Sequence, residues 1–236
     1  MNKRRSFFIT ASDTSVGKTI VTTSLCWQLR QRGERVVALK PIITGYSPHD
    51  TDSDSSLILQ SCGREPTLKL VREISPWRFE TPLSPDMAAK RERRTIELDE
   101  VIQFCNDHED DDSTTVLVEG AGGVMAPINP RQTMLDWMDG IGWPVVLVMG
   151  NYLGALSHTL TAIETLKSRN ISLHSLVVSE SHTSNVPFED TIACMRSFVP
   201  EAIQIMSIPR ILAEGELWRT APPLLSLITG SGTALK

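Results

Sequence analysis

Several short segments carry residues whose type and spacing suit phosphate and metal chemistry. The first is Ala11-Ser12-Asp13-Thr14-Ser15-Val16-Gly17-Lys18-Thr19, set between an apolar run and a helical pattern. Such a loop offers backbone N–H groups to phosphate, helped by the positive end of the helix that follows. Lys18 would then reach the terminal phosphates, and the Thr19 hydroxyl would ligate Mg²⁺. The match is partial, because Ser12 stands where the pattern asks for the first glycine. The second segment is Lys40-Pro41-Ile42-Ile43-Thr44-Gly45, where Lys40 reads equally as a ligand-facing cation or as a snorkelling surface lysine. The third, Asp50-Thr51-Asp52-Ser53-Asp54, is dense in carboxylates. Mg²⁺ keeps several waters, so one carboxylate from here would suffice; the bland alternative is a solvated turn that caps the next helix.

The fourth segment is Val118-Glu119-Gly120-Ala121-Gly122-Gly123. A carboxylate directly after a buried apolar strand is costly unless it is paired or bound to a cation. Glu119 therefore reads as a second metal-binding carboxylate, and the glycines as a place where backbone approaches a ligand closely. The alternative is a glycine-rich turn with an exposed Glu. The fifth, Met149-Gly150-Asn151-Tyr152-Leu153-Gly154, precedes a helix whose open N-terminus suits a carboxylate. His158 in its first turns reads as a packed or capping histidine.

The elements that must hold these residues alternate strand and helix. Ser6–Thr10, Arg35–Leu39, Thr115–Val118, Pro144–Met149, Leu173–Val178 and Ile203–Ile208 are short apolar runs. Near-continuous apolar runs fit strands covered on both faces. Helical spacing marks Lys18–Arg32, Ser56–Cys62, Leu98–Cys105 and Leu156–Arg169, with Gly33 stopping the first. Between Gly63 and Lys90 the pattern weakens around Pro66, Pro76, Pro82 and Pro85, which predicts loops with a helix resuming near Pro85. The expectation is a P-loop α/β fold, with a mostly parallel sheet flanked by helices and ligands gathered at the carboxyl ends of its strands. It comprises one domain over 1–236, with 229–236 as a fraying tail.

Composition narrows the function classes. The chain has 236 residues, 23 Lys+Arg and 28 Asp+Glu, for a net charge of −5. With 41% hydrophobic and 22% charged residues it is a globular sequence. The acidic balance argues against nucleic acid as a partner. The apolar run after Met1-Asn2-Lys3-Arg4-Arg5 is too short for a signal peptide, and no run is long enough to span a membrane. The four cysteines, Cys26, Cys62, Cys105 and Cys194, form no CxxC pair and read as reduced, mostly buried thiols of a cytoplasmic protein. Lys90-Arg91-Glu92-Arg93-Arg94 and Glu109-Asp110-Asp111-Asp112 read as solvated segments, and the five tryptophans as core or interface. There is no Ser/His/Asp arrangement, HExxH helix or NKxD motif.

Taken in order, Phe8–Thr19, Lys40–Gly45, Val118–Gly123 and Pro144–His158 resemble the dethiobiotin synthetases. The resemblance implies a homodimeric, ATP- and Mg²⁺-dependent cyclo-ligase of biotin synthesis. It takes 7,8-diaminononanoate, CO₂ and ATP, and it passes through a carbamate and a carbamic-phosphoric anhydride. It implies Lys40 and Lys18 as catalytic residues, and Thr19, Asp54 and Glu119 as Mg²⁺ ligands, with loop length leaving Asp52 open in place of Asp54. Thr44, Thr14, Tyr152, Leu153 and Gly154 would contact substrate, and the Gly150–Ser157 segment would hold its distal carboxylate across the dimer. Ser15, Val16, Gly17, Ile20, Gly120, Ala121 and Gly122 would line the nucleotide, with Ser179, Glu180, Ile208, Pro209 and Arg210 on the base side. Departures are Ala11 for glycine, Ser15 for the frequent Glu, Ser157 for Asn and Ser179 for an adenine-contacting Asn. Three other readings are a partition-type ATPase acting as a nucleotide-gated binding module, a related amidoligase of the cobyrinate type, which usually adds a glutaminase domain, and an inactive paralogue. The first would carry a signature lysine at position 13, where this chain has Asp13.

Overall fold

The computed structural model describes residues 5–48, 50–109, 113–212 and 215–229. Met1–Arg4, Asp110–Asp112 and 230–236, which include most of the expected basic leader, acidic loop and tail, lie outside the described residues.

The chain opens with β1 (Ser6–Ala11), α1 (Lys18–Gln31), β2 (Arg35–Leu39), β3 (Ile42–Thr44) and α2 (Asp54–Ser61). It continues with α3 (Leu68–Ile74), β4 (Trp77–Phe79), α4 (Pro85–Arg91), α5 (Leu98–Asn106) and β5 (Thr114–Glu119). Then come α6 (Met134–Ile141), β6 (Val145–Met149), α7 (Ala155–Ser168), β7 (Leu173–Ser179), α8 (Phe188–Phe198) and β8 (Gln204–Ile208). A 3₁₀ turn (Leu217–Arg219) and α9 (Ser226–Thr229) complete the described elements.

The main sheet has six strands in the order β2-β5-β1-β6-β7-β8, every neighbouring pair parallel. All residues of β1 and β6 are buried, as expected of strands covered on both faces. The register sets Ile9 of β1 against Glu119 at the end of β5, and Ala11 against Val148 of β6. From β1 the chain crosses to β2 on one side of the sheet, and β6 flanks β1 on the other. The carboxyl end of β1 is thus a switch point, where such sheets open a crevice. Beneath it Phe8 meets Trp137 edge-on at 4.9 Å. Trp137, Trp143 and Trp218 are buried in the core.

The weakly patterned 63–90 stretch holds more structure than its sequence suggests. Thr67 accepts a hydrogen bond from the Leu70 N–H at 3.2 Å and starts α3, which buries only Val71 and Ile74. Two apolar contacts in two turns leave too little periodicity to read. Next, β4 pairs in parallel with β3 as a separate two-stranded sheet. The helix at Pro85 is present, with Pro at its first turn. Three further helices, α6, α8 and the short α9, were not expected. In α6 the Thr133 hydroxyl and the Asp136 carboxylate form a reciprocal cap. In α8 the buried side is Thr191, Ile192 and Met195. Among the described residues no helix is long and apolar enough to cross a membrane.

Candidate active site

The loop after β1 turns sharply at Ser15 (φ 55°) and Gly17 (φ 104°), both in the left-handed region. Gly17 precedes α1 and caps it without a side chain, so the first N–H groups of the helix face outward into the loop. A Cβ on Gly17 would lie 2.8 Å from Ser179 Oγ, so the loop and the end of β7 already touch at their closest allowed distance. Ser15 is one of the rare non-glycine residues at positive φ, a backbone state that costs of order 1–3 kcal/mol.

Four expected residues meet at the first turn of α1. Glu119 is fully buried, and Lys40 is 3% exposed. Lys40 Nζ lies 2.7 Å from Glu119 Oε1 and 3.0 Å from Asp54 Oδ2, and it donates to the Gly120 carbonyl at 2.9 Å. The Thr19 hydroxyl lies 2.8 Å from Asp54 Oδ1 and 3.0 Å from Glu119 Oε1. Of the two aspartates left open by the sequence, Asp54 is the one in this cluster. The exposed Asp52 folds its backbone N–H back onto Asp50 Oδ1 at 2.8 Å. Asp54 is also the first residue of α2, two residues earlier than the expected start. Ser53 caps that helix by accepting from the Ser56 N–H at 3.3 Å.

Charge at this cluster follows from burial and pairing. Burial alone favours the neutral amine of Lys40, but the Asp54 and Glu119 carboxylates outweigh it and raise its pKa above that of an ordinary lysine. The Lys40 ammonium in turn holds Asp54 below the ordinary carboxylate range. Lys18, 7% exposed, is brought down to about 8 by burial and then by the positive charge of Lys40. Its ammonium donates to the Asp13 carbonyl at 3.4 Å. Two lysines thus converge on one crevice, and among the described residues only Lys40 has carboxylate partners at hydrogen-bond distance.

The donor set suits a small hard cation. Thr19, Asp54 and Glu119 offer oxygen only, and Glu119 is a buried carboxylate that requires positive charge beside it. Among the described residues no group of three or more His, Cys, Asp or Glu forms a closed cage. Three oxygen donors would leave the rest of a six-oxygen shell to other ligands, while the Lys40 ammonium engages two of them in this structure. Thr22 was missed by sequence reasoning. Its hydroxyl donates to Glu119 Oε2 at 2.6 Å from one turn below Lys18.

On the other side of the loop lies a cavity of about 270 Å³. It gathers Ser15, Val16, Gly17 and Ile20 with Ser179, Glu180, Ile208 and Arg210, two groups that the sequence expectation assigned to the nucleotide and to its base side. Ile211 and Leu217 complete its apolar wall and were not anticipated; Pro209 does not line it. Glu180 is fixed through its Oε2, which accepts from the Arg210 N–H at 2.8 Å.

The remaining expected residues lie on several different turns and strand ends. Thr14 is exposed and donates its backbone N–H to Asp13 Oδ1 at 2.7 Å. Thr44 ends β3, half-buried. Ala121 is buried, and Gly122 takes φ 75° in the turn after β5. Gly154 (φ 101°) caps α7 without a side chain, much as Gly17 caps α1, and Leu153 beside it is 91% exposed. Tyr152 donates its hydroxyl to Asp13 Oδ2 at 2.7 Å and lies 2.9 Å from His158 Nδ1. His158 is therefore neither packed nor a cap, as the sequence suggested, but part of a clasp between α7 and the phosphate loop.

A family model described as an AAA domain matches residues 5–214. The ATP-dependent dethiobiotin synthetase of Acidiphilium cryptum is 41% identical, over 78% of this chain and 84% of its own length. That of Phenylobacterium zucineum is 39% identical, over 86% and 88%. That of Caulobacter vibrioides is 38% identical, over 87% and 93%. Among solved structures, the MinC:MinD cell division protein complex of Aquifex aeolicus aligns with a TM-score of 0.56 at 12% identity, over 92% of this chain and 86% of the other. A ParA family ATPase from Chlorobium tepidum aligns at 0.52 and 14%, over 93% and 96%. These two likenesses concern the fold alone.

Proposed function

The chain belongs to the ATP-dependent dethiobiotin synthetase family, a family of ligases, and from that premise we propose that it closes a cyclic urea on 7,8-diaminononanoate. In this reading CO₂ adds to one amine as a carbamate. A carbamate oxygen attacks the γ-phosphorus of ATP, and ADP leaves. The second amine then attacks the carbamoyl carbon of the anhydride and phosphate leaves.

The observation that carries the reading is the placement of Lys40. A nucleotide-binding loop needs only Lys18 for its phosphates. A second buried ammonium, anchored 2.7 Å from Glu119 at the mouth of the same loop, supplies positive charge for a second anion. A carbamate meeting a triphosphate is such a pair, and holding the two together is most of the catalysis required. Thr19, Asp54 and Glu119 would hold Mg²⁺, which when bound neutralises charge on the phosphate oxygens. The N–H groups of the first turn of α1, left open by Gly17, would take phosphate oxygens. Ser179, Glu180, Ile208, Pro209 and Arg210 would face the base. Thr14 and Thr44 would contact the substrate.

The proposed working unit is a cytoplasmic homodimer of one-domain chains, acting on small molecules and not on nucleic acid or membrane. Support for the dimer is the exposure of Leu153 (91%) and Met125 (54%) near the open start of α7. From there Tyr152, Leu153 and Gly154 would reach the substrate carboxylate of a second copy. The test is ADP release by purified protein with Mg·ATP and bicarbonate, with and without diaminononanoate. Turnover that depends on the diamine is expected; its absence with every nucleotide tried would refute the enzyme reading.

A further inference from the structure

Cys26 and Cys62 are far apart in sequence but meet where α1 and α2 pack. Cys26 lies in mid-α1 with no exposed surface. Cys62 caps the C-terminus of α2 and is partly exposed. Both are free thiols, near enough for each to shift the titration of the other. One turn past Cys26, Arg30 lies across the same end of α2. Its Nη1 donates to the Ser61 carbonyl at 3.1 Å, and its guanidinium fills the space that a Cβ on Gly63 would take. The α1 surface from Cys26 to Arg30 is thus mated to the Ser61–Gly63 turn, and the thiol contact belongs to a fitted joint.

The two thiols are chemically unlike. The neighbouring Cys26 thiol, with Ser61 and the Arg30 and Arg64 cations, outweighs burial and holds Cys62 below an ordinary thiol. The neighbouring Cys62 thiol and then burial push Cys26 well above one. An accessible, thiolate-prone sulfur backed by a protonated thiol is the arrangement that reacts with peroxide and then resolves.

We propose that Cys26 and Cys62 are a redox-active dithiol that a peroxide closes to a disulfide between α1 and α2. The Cys62 sulfur attacks one peroxide oxygen, the O–O bond breaks, and one water leaves with Cys62 as sulfenic acid. The Cys26 sulfur then attacks the Cys62 sulfur, the S–O bond breaks, and the second water leaves. The two thiols lose two electrons and two protons, and the peroxide becomes two waters. A dithiol reductant reverses the change. Closing the bond brings the sulfurs to about 2.05 Å and draws the end of α2 onto α1. These helices begin with Lys18 and Thr19 on one side and Asp54 on the other, and the Thr19 hydroxyl lies 2.8 Å from Asp54 Oδ1. The joint at one end of the pair therefore sets the spacing of the site at the other.

The test treats the whole protein with hydrogen peroxide and reads intact mass and a non-reducing peptide map. Expected are the loss of two hydrogen masses and a peptide joining Cys26 to Cys62, both reversed by dithiothreitol. Cys62→Ser, at a partly exposed helix end, removes the cross-link, whereas Cys105→Ser keeps it. In the cross-linked protein ADP release falls ~10-fold or more, because small misplacements of positioned groups cost that much. Cys62→Ser keeps its turnover under peroxide. No mass loss, oxygen addition without a cross-link, or a cross-link that survives Cys62→Ser overturns the proposal. Unchanged turnover in fully cross-linked protein overturns its action on the site. Because the cross-link is read by mass, this result is independent of which reaction the enzyme performs.

Discussion

Lys40 Nζ sits 2.7 Å from Glu119 Oε1, and both side chains are shut away from solvent. The strand order makes this possible, since β2 and β5 are neighbours and each delivers one charge at its carboxyl end. A buried pair of this kind contributes little as a whole, but losing one partner strands the other. Lys40 thus has two separable roles, as counter-charge to Glu119 and as the proposed cation for carbamate.

The first prediction separates those roles. Lys40→Ala is expected to abolish turnover and also to lower stability by ~3–5 kcal/mol, because Glu119 is left unpaired. Adding Glu119→Gln to that variant recovers most of the stability and none of the turnover. Urea denaturation beside ADP release distinguishes the outcomes. A single variant with native stability and near-native turnover removes Lys40 from both roles.

Thr22 supports the site from below. Its hydroxyl is 2.6 Å from Glu119 Oε2, the oxygen opposite the one that Lys40 and Thr19 engage. Thr22→Val preserves shape and removes the donor. Supporting partners of metal ligands are typically worth ~10–100-fold in metal affinity or activity. The Mg²⁺ concentration giving half-maximal turnover is expected to rise within that range. An unchanged Mg²⁺ dependence would mean that Glu119 holds its orientation without Thr22.

Gly17 is required twice over. Its φ of 104° disfavours any side chain, and a Cβ there would press on Ser179 Oγ at 2.8 Å. Gly17→Ala is expected to weaken nucleotide binding by about 1–3 kcal/mol, the cost of such a backbone state. Gly17→Ala with Ser179→Gly relieves the contact and leaves the strain, so affinity recovers only in part. Binding of a fluorescent ATP analogue measures both, and full recovery in the double variant would assign the whole effect to Ser179.

What was legible in the sequence was whatever sits at a strand end. Lys18, Lys40 and Glu119 follow apolar runs, and a parallel sheet carries all such ends to one edge. Ser179, Glu180, Ile208 and Arg210 came from the family resemblance and not from any local pattern. Contacts made by helix faces and loops were not legible. Thr22 is an ordinary helical threonine until folding brings it to Glu119. Asp13, Tyr152 and His158 join through a loop and a helix start that share no local pattern. Cys26 and Cys62 carry no motif, yet one helix contact pairs them. The α3 and α8 helices went unread because each buries only two or three residues. The α6 helix carried a readable signal in Thr133 and Asp136, a short cap with Asp where Glu or Gln is usual.

That cap gives an acid-stability prediction. Burial opposes ionisation of Asp136, but hydrogen bonds from the Thr133 N–H and hydroxyl, at 2.8 and 2.9 Å, and then the Arg169 cation lower its pKa below the ordinary value. A carboxyl whose folded pKa is depressed binds its proton more readily in the unfolded chain. Its stabilisation is therefore complete above the unfolded value of about 3.9 and is lost as pH falls through the lower folded value. Asp136→Asn keeps an acceptor oxygen but removes the charge that strengthens its half of the reciprocal cap, for an expected loss of about 1 kcal/mol at neutral pH. The gap between native and variant stability should hold down to about pH 4 and then narrow, since protonation makes the native residue resemble its replacement. Urea midpoints measured from pH 7 down to pH 3 test this. A gap that stays constant or widens toward acid would show that Asp136 acts through packing and not through its charge.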